Sequence, residues 1–475
     1  MKSDTVWLPG PPHARVGLFV SALHRARTPA PGKDTAHTPA RRFPSHASRL
    51  AYRPSYSEPM SSAHRIDPFL RDAARALHVS GSPAPDLERH IGDLGEKLGV
   101  RARGFALPTM LSIAVDEPDG RQRVQLLRLP PSDYNMGRLI ALEALVAEFS
   151  GPDSLDDAAR RVREIMDAPP PWRGPAMVVF GFILSASVAP LFGGGAVEML
   201  CGGLVGTALV IGFLLLSRWP RLGPVLPVLL CAGAALLAHA LCLAFPHQTV
   251  FITVLSGIVL LLPGFITTIA LSELATQNLL AGSGRLAGAF ILMVMMGAGV
   301  ALGTKLGTTL IPAQPLGTAA LVPAWAFWSG IALFGVSLLG VLQAPLRSAP
   351  VIIGACLFAC ALMLTTNASM GPIAGAFCSA FLVSLVGHLY RRVTGKPAML
   401  FQVPGLLTLV PGSVGFRGLS ALIDQNFLEG IRITTGMLLT GTALAVGMLL
   451  ANGIAPILLH PDKEKMTGGR SPGIM

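Results

Sequence analysis

Two stretches of this chain, "LLPGFITTIALSELATQNLLAG" at 261–282 and "LVPGSVGFRGLSALIDQNFLEG" at 409–430, are versions of one another. At a constant offset of 148 residues they share ten identities in twenty-two positions, including Pro263/Pro411, Gly264/Gly412, Ser272/Ser420, Gln277/Gln425 and Asn278/Asn426. Leucines recur by chance in apolar segments, but Pro-Gly followed by L-S-x-L-x-x-Q-N at the same distance does not. Each stretch places a Pro-Gly pair inside an apolar run and loads the break with polar side chains. Such a pair removes a helix hydrogen bond and loosens the backbone. At membrane depth the freed groups are tolerated only inside protein or along a wet cavity.

The bilayer enters through composition. Of 475 residues, 51% are hydrophobic and only 13% charged, with a mean hydropathy of +0.57. Soluble domains carry about 25% charged residues. The apolar residues concentrate after residue 174 in ten runs, near 174–193, 196–216, 223–245, 249–275, 284–304, 318–342, 349–366, 369–390, 398–416 and 430–458. A spanning helix needs about 20 such residues. The related stretches close the fourth and ninth runs, so the repeat unit holds five spans and its second copy lies inverted in the bilayer. Secondary transporters use this plan, with the substrate site where the repeats meet. The expected fold is an α-helical integral membrane protein of about ten transmembrane helices. They form two inverted five-helix repeats, at 173–310 and 311–460, behind a small α+β domain at 63–172.

Lys and Arg bias sets the orientation. With the N-terminal domain in the cytoplasm, the cytoplasmic connections and tail hold ten basic residues, among them Arg285, Arg391, Arg392 and Lys396. The other side holds three: Lys305, Arg417 and Arg432. Both termini are therefore expected in the cytoplasm, with 461–475 as a cytoplasmic tail. Much of the net charge of +11 lies in these loops and in the N-terminal arm, which argues against nucleic-acid binding.

Residues 1–62 are expected to form a disordered arm, with nine Pro and nine Lys/Arg in the first 60 and no periodicity. Met60 is the expected initiation site, residues before it being an unstructured arm or an annotation artefact; translation from Met1 stays open. Between 63 and 172, Leu70, Ala74, Leu77, Leu87, Ile91, Leu94 and Leu98 recur at helical spacing. Two strand-like runs, "GFALPTMLSIAV" and "RVQLLRL", flank a turn at Glu117–Gly120, and two more helices follow. Ser154 with Asp157 predicts an N-cap for the last of them. The six cysteines all sit in apolar runs, which disfavours disulfides and zinc. No catalytic motif or phosphate loop is visible, so the domain reads as docking or regulatory, and no cofactor is expected.

The first stretch resembles the signature of the threonine/serine exporter (ThrE) family, through Pro263, Gly264, Thr268, Ala270, Glu273, Leu274, Gly282, Arg285 and Leu286. The second resembles that family's C-terminal half, through Pro411, Gly412, Gly415, Phe416 and Arg417. Gln277 departs from the pattern, where glycine is expected, and leaves substrate preference open. The resemblance implies proton-driven efflux of threonine, serine and related amino acids from the inner membrane, and no enzymatic activity. Dicarboxylates are the alternative cargo. A channel or an intramembrane hydrolase is the alternative class; the one needs a polar pore lining, the other a nucleophile–base pair that the spans do not show. The implied partners are the amino acid, protons and the lipid bilayer, with homo-oligomerisation open.

Glu273 is the candidate proton carrier, since an intramembrane carboxylate is a functional candidate by default; its alternative is a cap or a surface pair with Arg285. Thr267, Thr268, Gln277 and Asn278 can donate and accept hydrogen bonds, as a zwitterion requires; their alternative is helix–helix bonding. Ser420, Gln425, Asn426 and Arg417 are their candidates in the second half, where Asp424 is the nearest carboxylate because Ala421 replaces Glu273. Glu198 reads as a solvated helix end, with a contact to a substrate amine as its alternative, and His239 as a packing histidine, with a proton relay as its alternative. The spacings Gly299/Gly303 and Gly371/Gly375 read as close helix packing.

Overall fold

The computed structural model describes residues 62–107, 109–116, 120–130, 135–275, 279–311, 322–410, 412–423 and 425–459. The expected arm, apart from Ser62, and the expected tail lie outside these residues.

The N-terminal domain begins with helices α1 (Ser62–Val79) and α2 (Ala84–Lys97), whose helical-period leucines turn inward. Leu70, Ala74, Leu77, Leu87, Ile91, Leu94 and Leu98 are all buried. Strands β1 (Arg101–Leu107), β2 (Met110–Asp116) and β3 (Gln122–Arg128) form one antiparallel sheet in the order β1-β2-β3. The sequence pattern suggested two strands. The run through Pro108 is in fact two, because Leu107 pairs with Met110 and the chain reverses between them. Leu111, Ile113 and Val115 of β2 face the helices. Helices α3 (Met136–Glu148) and α4 (Leu155–Asp167) complete the domain. The cap predicted at Ser154 is not made: its hydroxyl donates to Gly151 O at 2.9 Å, ending a short 3-10 turn instead.

The rest is helical: α5 (Pro175–Val188), α6 (Ala196–Leu216), α7 (Leu226–Leu241), α8 (Val250–Gly257), α9 (Gly264–Ala275), α10 (Leu279–Leu310), α11 (Ala324–Val341), α12 (Ala349–Thr394), α13 (Met399–Leu409), α14 (Gly412–Ile423) and α15 (Phe427–Leu459). Among the described residues, eight helices are long and apolar enough to cross a membrane. They become nine when α8 and the stretch Val259–Ala275, bent by 49°, count as one span. Where hydropathy ends the ninth apolar run near 416, helix continues to Ile423.

The 46-residue α12 is not straight. Gly371 sits at φ +79°, a left-handed conformation that costs glycine little and other residues much. Thr366 Oγ1 lies 3.0 Å from Ser379 Oγ across this point. Thirteen residues of straight helix would separate them by about 20 Å, so the chain doubles back and 349–370 packs against 372–394. Gly371 is thus a reversal, not the packing glycine its spacing suggested: a side chain there would meet nothing within 4 Å. Gly375 does pack, against Asn367, and Gly299 and Gly303 lie on the carbonyls of Val228 and Ala232 in α7.

The domain and the helices join at a seam. Met136 N donates to Leu342 O (2.9 Å) and Gly137 N to Gln343 O (3.3 Å), so the α11–α12 connection satisfies two free amides at the start of α3. Trp172 Nε1 donates to Ala344 O at 2.8 Å. Gln343 is buried with φ +48°, and its amide nitrogen donates to Gly340 O at 3.0 Å.

Candidate functional site

The two Pro-Gly breaks meet. A methyl placed on Gly264 would lie 2.8 Å from Gly412 Cα, and one on Gly412 would lie 3.1 Å from Gly264 Cα. Two backbones this close require glycine on both sides. Residues 148 apart in sequence are therefore neighbours in space, each at the first position of a twelve-residue helix, α9 or α14. Each short helix packs on the long helix that follows it and on the long helix of the other half: α9 on α10 and α15, α14 on α15 and α10. The equivalence extends to detail. Gly282 packs on Leu274, and Gly430 on Leu422, the same pair one repeat later.

The threonines after the first break turn back onto it. Thr267 Oγ1 donates to Pro263 O (2.9 Å) and Thr268 Oγ1 to Gly264 O (3.3 Å). Both are buried, and both retain lone pairs as acceptors. Glu273, later on α9, faces Arg285 of α10, with Oε1 3.0 Å from Nε and both side chains about four-fifths buried. The ion pair weighed from sequence is formed.

On α14, Arg417 extends to the end of the first span. Its Nη2 donates to Phe192 O at 3.2 Å, and the guanidinium lies 5.8 Å from the Phe192 ring centroid. Its Nε is buried with no hydrogen-bond partner among the described residues. Ser420 is half-buried on the same helix. Gln425, at φ +63°, and Asn426 form the exposed turn into α15, where Asn426 N donates to Ala421 O at 2.9 Å. Gln277, Asn278, Pro411 and Asp424 lie outside the described residues.

Two residues have settled structural roles. Glu198 is buried, not solvated, and its two oxygens accept from Gly195 N and Thr249 N, both at 2.8 Å, tying α6 to the start of α8. His239 Nδ1 bonds Ala235 O at 2.9 Å, and its ring packs on Gly307. The contact sequence reasoning missed is Arg417 with Phe192. The two are 225 residues apart and carry no shared motif, so no local signal links them.

The described polar side chains borne by the two short helices are Thr267, Thr268, Ser272 and Glu273 on α9, the last paired with Arg285 of α10, and Ser413, Arg417 and Ser420 on α14. Comparison with known proteins gives the family. A family model described as "Putative threonine/serine exporter" matches residues 68–307, and a second, "Threonine/Serine exporter, ThrE", matches 326–454. The chain belongs to the ThrE family. A protein named threonine/serine exporter from Corynebacterium glutamicum is 24% identical over 354 residues, covering 70% of each chain. Pheromone-regulated membrane protein 10 of Eremothecium gossypii is 24% identical over 395 residues, 80% of this chain and 51% of its own length. The same-named Saccharomyces cerevisiae protein is 23% identical over 431 residues, 84% and 55%. The chain spans about half the length of these fungal relatives. No solved structure matches it. ThrE members are exporters rather than enzymes, and this ThrE chain is a multi-pass membrane protein by family and by its apolar helices.

Proposed function

We propose that this protein is a secondary active exporter of small amino acids of the threonine/serine class. Its substrate site lies at the paired helix breaks, and its driving force is a proton gradient. The observation that carries this reading is the contact of Gly264 with Gly412. It puts two related broken helices back to back, as an inverted-repeat transporter requires. Counting each broken pair as one span and the α12 hairpin as two gives ten spans, five in each half.

In this reading, residues 63–172 form a cytoplasmic domain, and 173–310 and 311–460 are the two repeats. The α9 half of the site opens toward the domain side and the α14 half away from it. Arg417, with an unsatisfied nitrogen, receives the substrate carboxylate. The hydroxyls of Thr267 and Thr268, Ser420, and the side chains of Gln277, Asn278, Gln425 and Asn426 bond the rest of the zwitterion. Glu273 exchanges its partner Arg285 for a proton, which couples gradient to movement, and Asp424 is the second carboxylate to test. Purified protein in proteoliposomes with an imposed proton gradient should drive uphill flux of labelled L-threonine, and L-serine should compete. Flux of dicarboxylates alone would replace the substrate class, and flux insensitive to the gradient would remove the coupling.

A further inference from the structure

The sheet of the N-terminal domain has one packed face and one bare face. Leu111, Ile113 and Val115 of β2 are buried against the helices, while Phe105 of β1 and Val124 and Leu126 of β3 are 54%, 57% and 66% exposed on the other face. These three are neighbours. Phe105 and Leu126 share a cross-strand row through Ser112, and Val124 lies in the next row, through Ala114. The bare face points away from the bundle, because α2 lies between the two. Ile91 and Gly95 of α2 meet Gly104 and Ala102 of β1. On the opposite side of that helix, His90, Asp93 and Lys97 face Arg391 and Lys396 at the end of α12.

The two edges of the sheet differ. Leu129 N donates to Thr109 O at 3.0 Å, which sets the phase of the ladder. Backbone groups alternate in direction along an antiparallel strand. Those of Arg123, Gln125 and Leu127 therefore turn to β2, and those of Gln122, Val124, Leu126 and Arg128 turn to the outer edge. By the same alternation Ala106 turns to the outer edge of β1, and there it is covered: Ala106 N donates to the Glu88 carboxylate of α2 at 3.2 Å. Proline, bulges and covering elements protect sheet edges. Strand β3 has no proline, its seven residues pair with β2 in unbroken register, and among the described residues β2 is its only partner strand. Arg123 is drawn aside to Asp67 at 2.7 Å.

The residues of β3 complement themselves. Laid antiparallel on a second copy about a two-fold axis at Gln125, the strand Q-R-V-Q-L-L-R sets Val124 opposite Leu126, Gln122 opposite Arg128 and Arg123 opposite Leu127. No like charges face each other, the edge-facing amides and carbonyls of Gln122–Arg128 find partners, and the two bare apolar patches become one. An axis at Leu126 would instead set Val124 opposite Arg128 and Gln122 opposite Pro130, which has no N–H to give. The bilayer admits the pairing. An in-sheet two-fold runs along the sheet normal, which points away from the bundle, so both bundles enter one membrane in the same orientation. Confinement to that membrane raises the effective concentration of one edge at the other. We propose that β3 is a homodimerisation edge, through which two copies in one membrane join their domains into a continuous antiparallel sheet centred on Gln125.

The test is oxidative cross-linking of the full-length protein in membrane vesicles, read as a dimer band on a non-reducing gel. On the axis, Gln125 would face its own copy as a non-hydrogen-bonded pair with Cα atoms about 4.5 Å apart, within disulfide reach. Gln125→Cys should therefore cross-link to itself. Gln122→Cys, about 20 Å from its copy along the paired strands, and Arg103→Cys on β1 should not. The native cysteines all lie in the bundle, and the unsubstituted protein gives the background. Adding Leu126→Pro, which removes an edge-facing amide, should cut the Gln125→Cys dimer at least tenfold. Val124→Lys, which puts a lysine diagonal to Arg128 of the second copy, should do the same. It alters only an exposed side chain, and so decides the matter should the proline disturb the strand. No dimer at Gln125→Cys, an equal band at Gln122→Cys, or a band that persists with Val124→Lys would overturn the proposal. A cross-link to a protein of another mass would give the edge to a different partner and overturn it too. So would a dimer that forms only after deletion of 1–59, which would give the edge to the apolar stretch 16–23.

Discussion

At the scale of single residues, the glycine contact and the Glu273–Arg285 pair carry the strongest expectations. A methyl on Gly264 would collide with the Val410 side chain and press on the Gly412 backbone. Overpacking of this kind costs about 1–3 kcal/mol. Gly264→Ala and Gly412→Ala should each lower the melting temperature in detergent and slow L-threonine flux. Because both disturb one contact, the double variant should lose less than the sum; strict additivity would mean the breaks do not touch. Glu273→Gln keeps the shape of the side chain and removes its titration. Counterflow at equal L-threonine concentrations should survive, while gradient-driven uphill efflux fails. Full uphill efflux would reduce the pair to a structural contact between α9 and α10. The meeting of the two glycines was legible in the amino-acid sequence, because repetition at a fixed offset implies a shared axis. The Arg417 contact with Phe192 was not, since nothing local in either segment encodes it.

At the scale of elements, α3 carries a carboxyl whose burial makes it pH-sensitive. Glu143 titrates near 7 when folded, against an ordinary value of 4.5. Between those values the folded chain holds a proton that the unfolded chain releases, so this group's contribution to stability falls as pH rises from about 4.5 to 7 and is constant above. His90, with its pKa pushed down, works oppositely: its contribution is full above about 6.5 and is lost as pH falls. Glu143→Gln should therefore match wild type at pH 5 and melt higher at pH 8, measured without ligand by differential scanning fluorimetry. A variant less stable at pH 8 would show an ionised Glu143 held by Arg391 instead. Helix positions in this domain were legible from leucine spacing, which burial follows closely. The third strand was not, because a short reversal near a proline looks like one continuous run. The reversal at Gly371 was equally hidden, since a left-handed glycine and a packing glycine are the same letter.

At the scale of the whole molecule, the seam tests topology. The domain contacts the α11–α12 connection through Leu342, Gln343 and Ala344, and approaches the end of α12 through Arg391. Those two connections therefore lie on the domain's side of the bundle, as the distribution of Lys and Arg led one to expect. The first span starts beside the same seam, at Trp172, and ends near Phe192, where Arg417 bonds it; that arginine belongs to the opposite side. Basic residues flanking spans favour the cytoplasmic face, and the side with Arg391, Arg392 and Lys396 is the richer one. A reporter fused after Arg392 should accordingly read cytoplasmic, and one inserted near Gln314, outside the described residues, should read external. An odd number of spans separates the two points if 324–341, 349–370 and 372–394 each cross once. If the α12 hairpin dipped into the bilayer and returned without crossing, the parity would not change, so the pair of reporters tests α11. A third reporter within 366–371 separates the cases: external if both arms cross fully, protected from both sides if the hairpin is re-entrant. The ten-span count stands only on the first outcome, whereas the opposite orientation of α9 and α14 survives either, because a hairpin that crosses twice and one that does not cross return the chain to the same side.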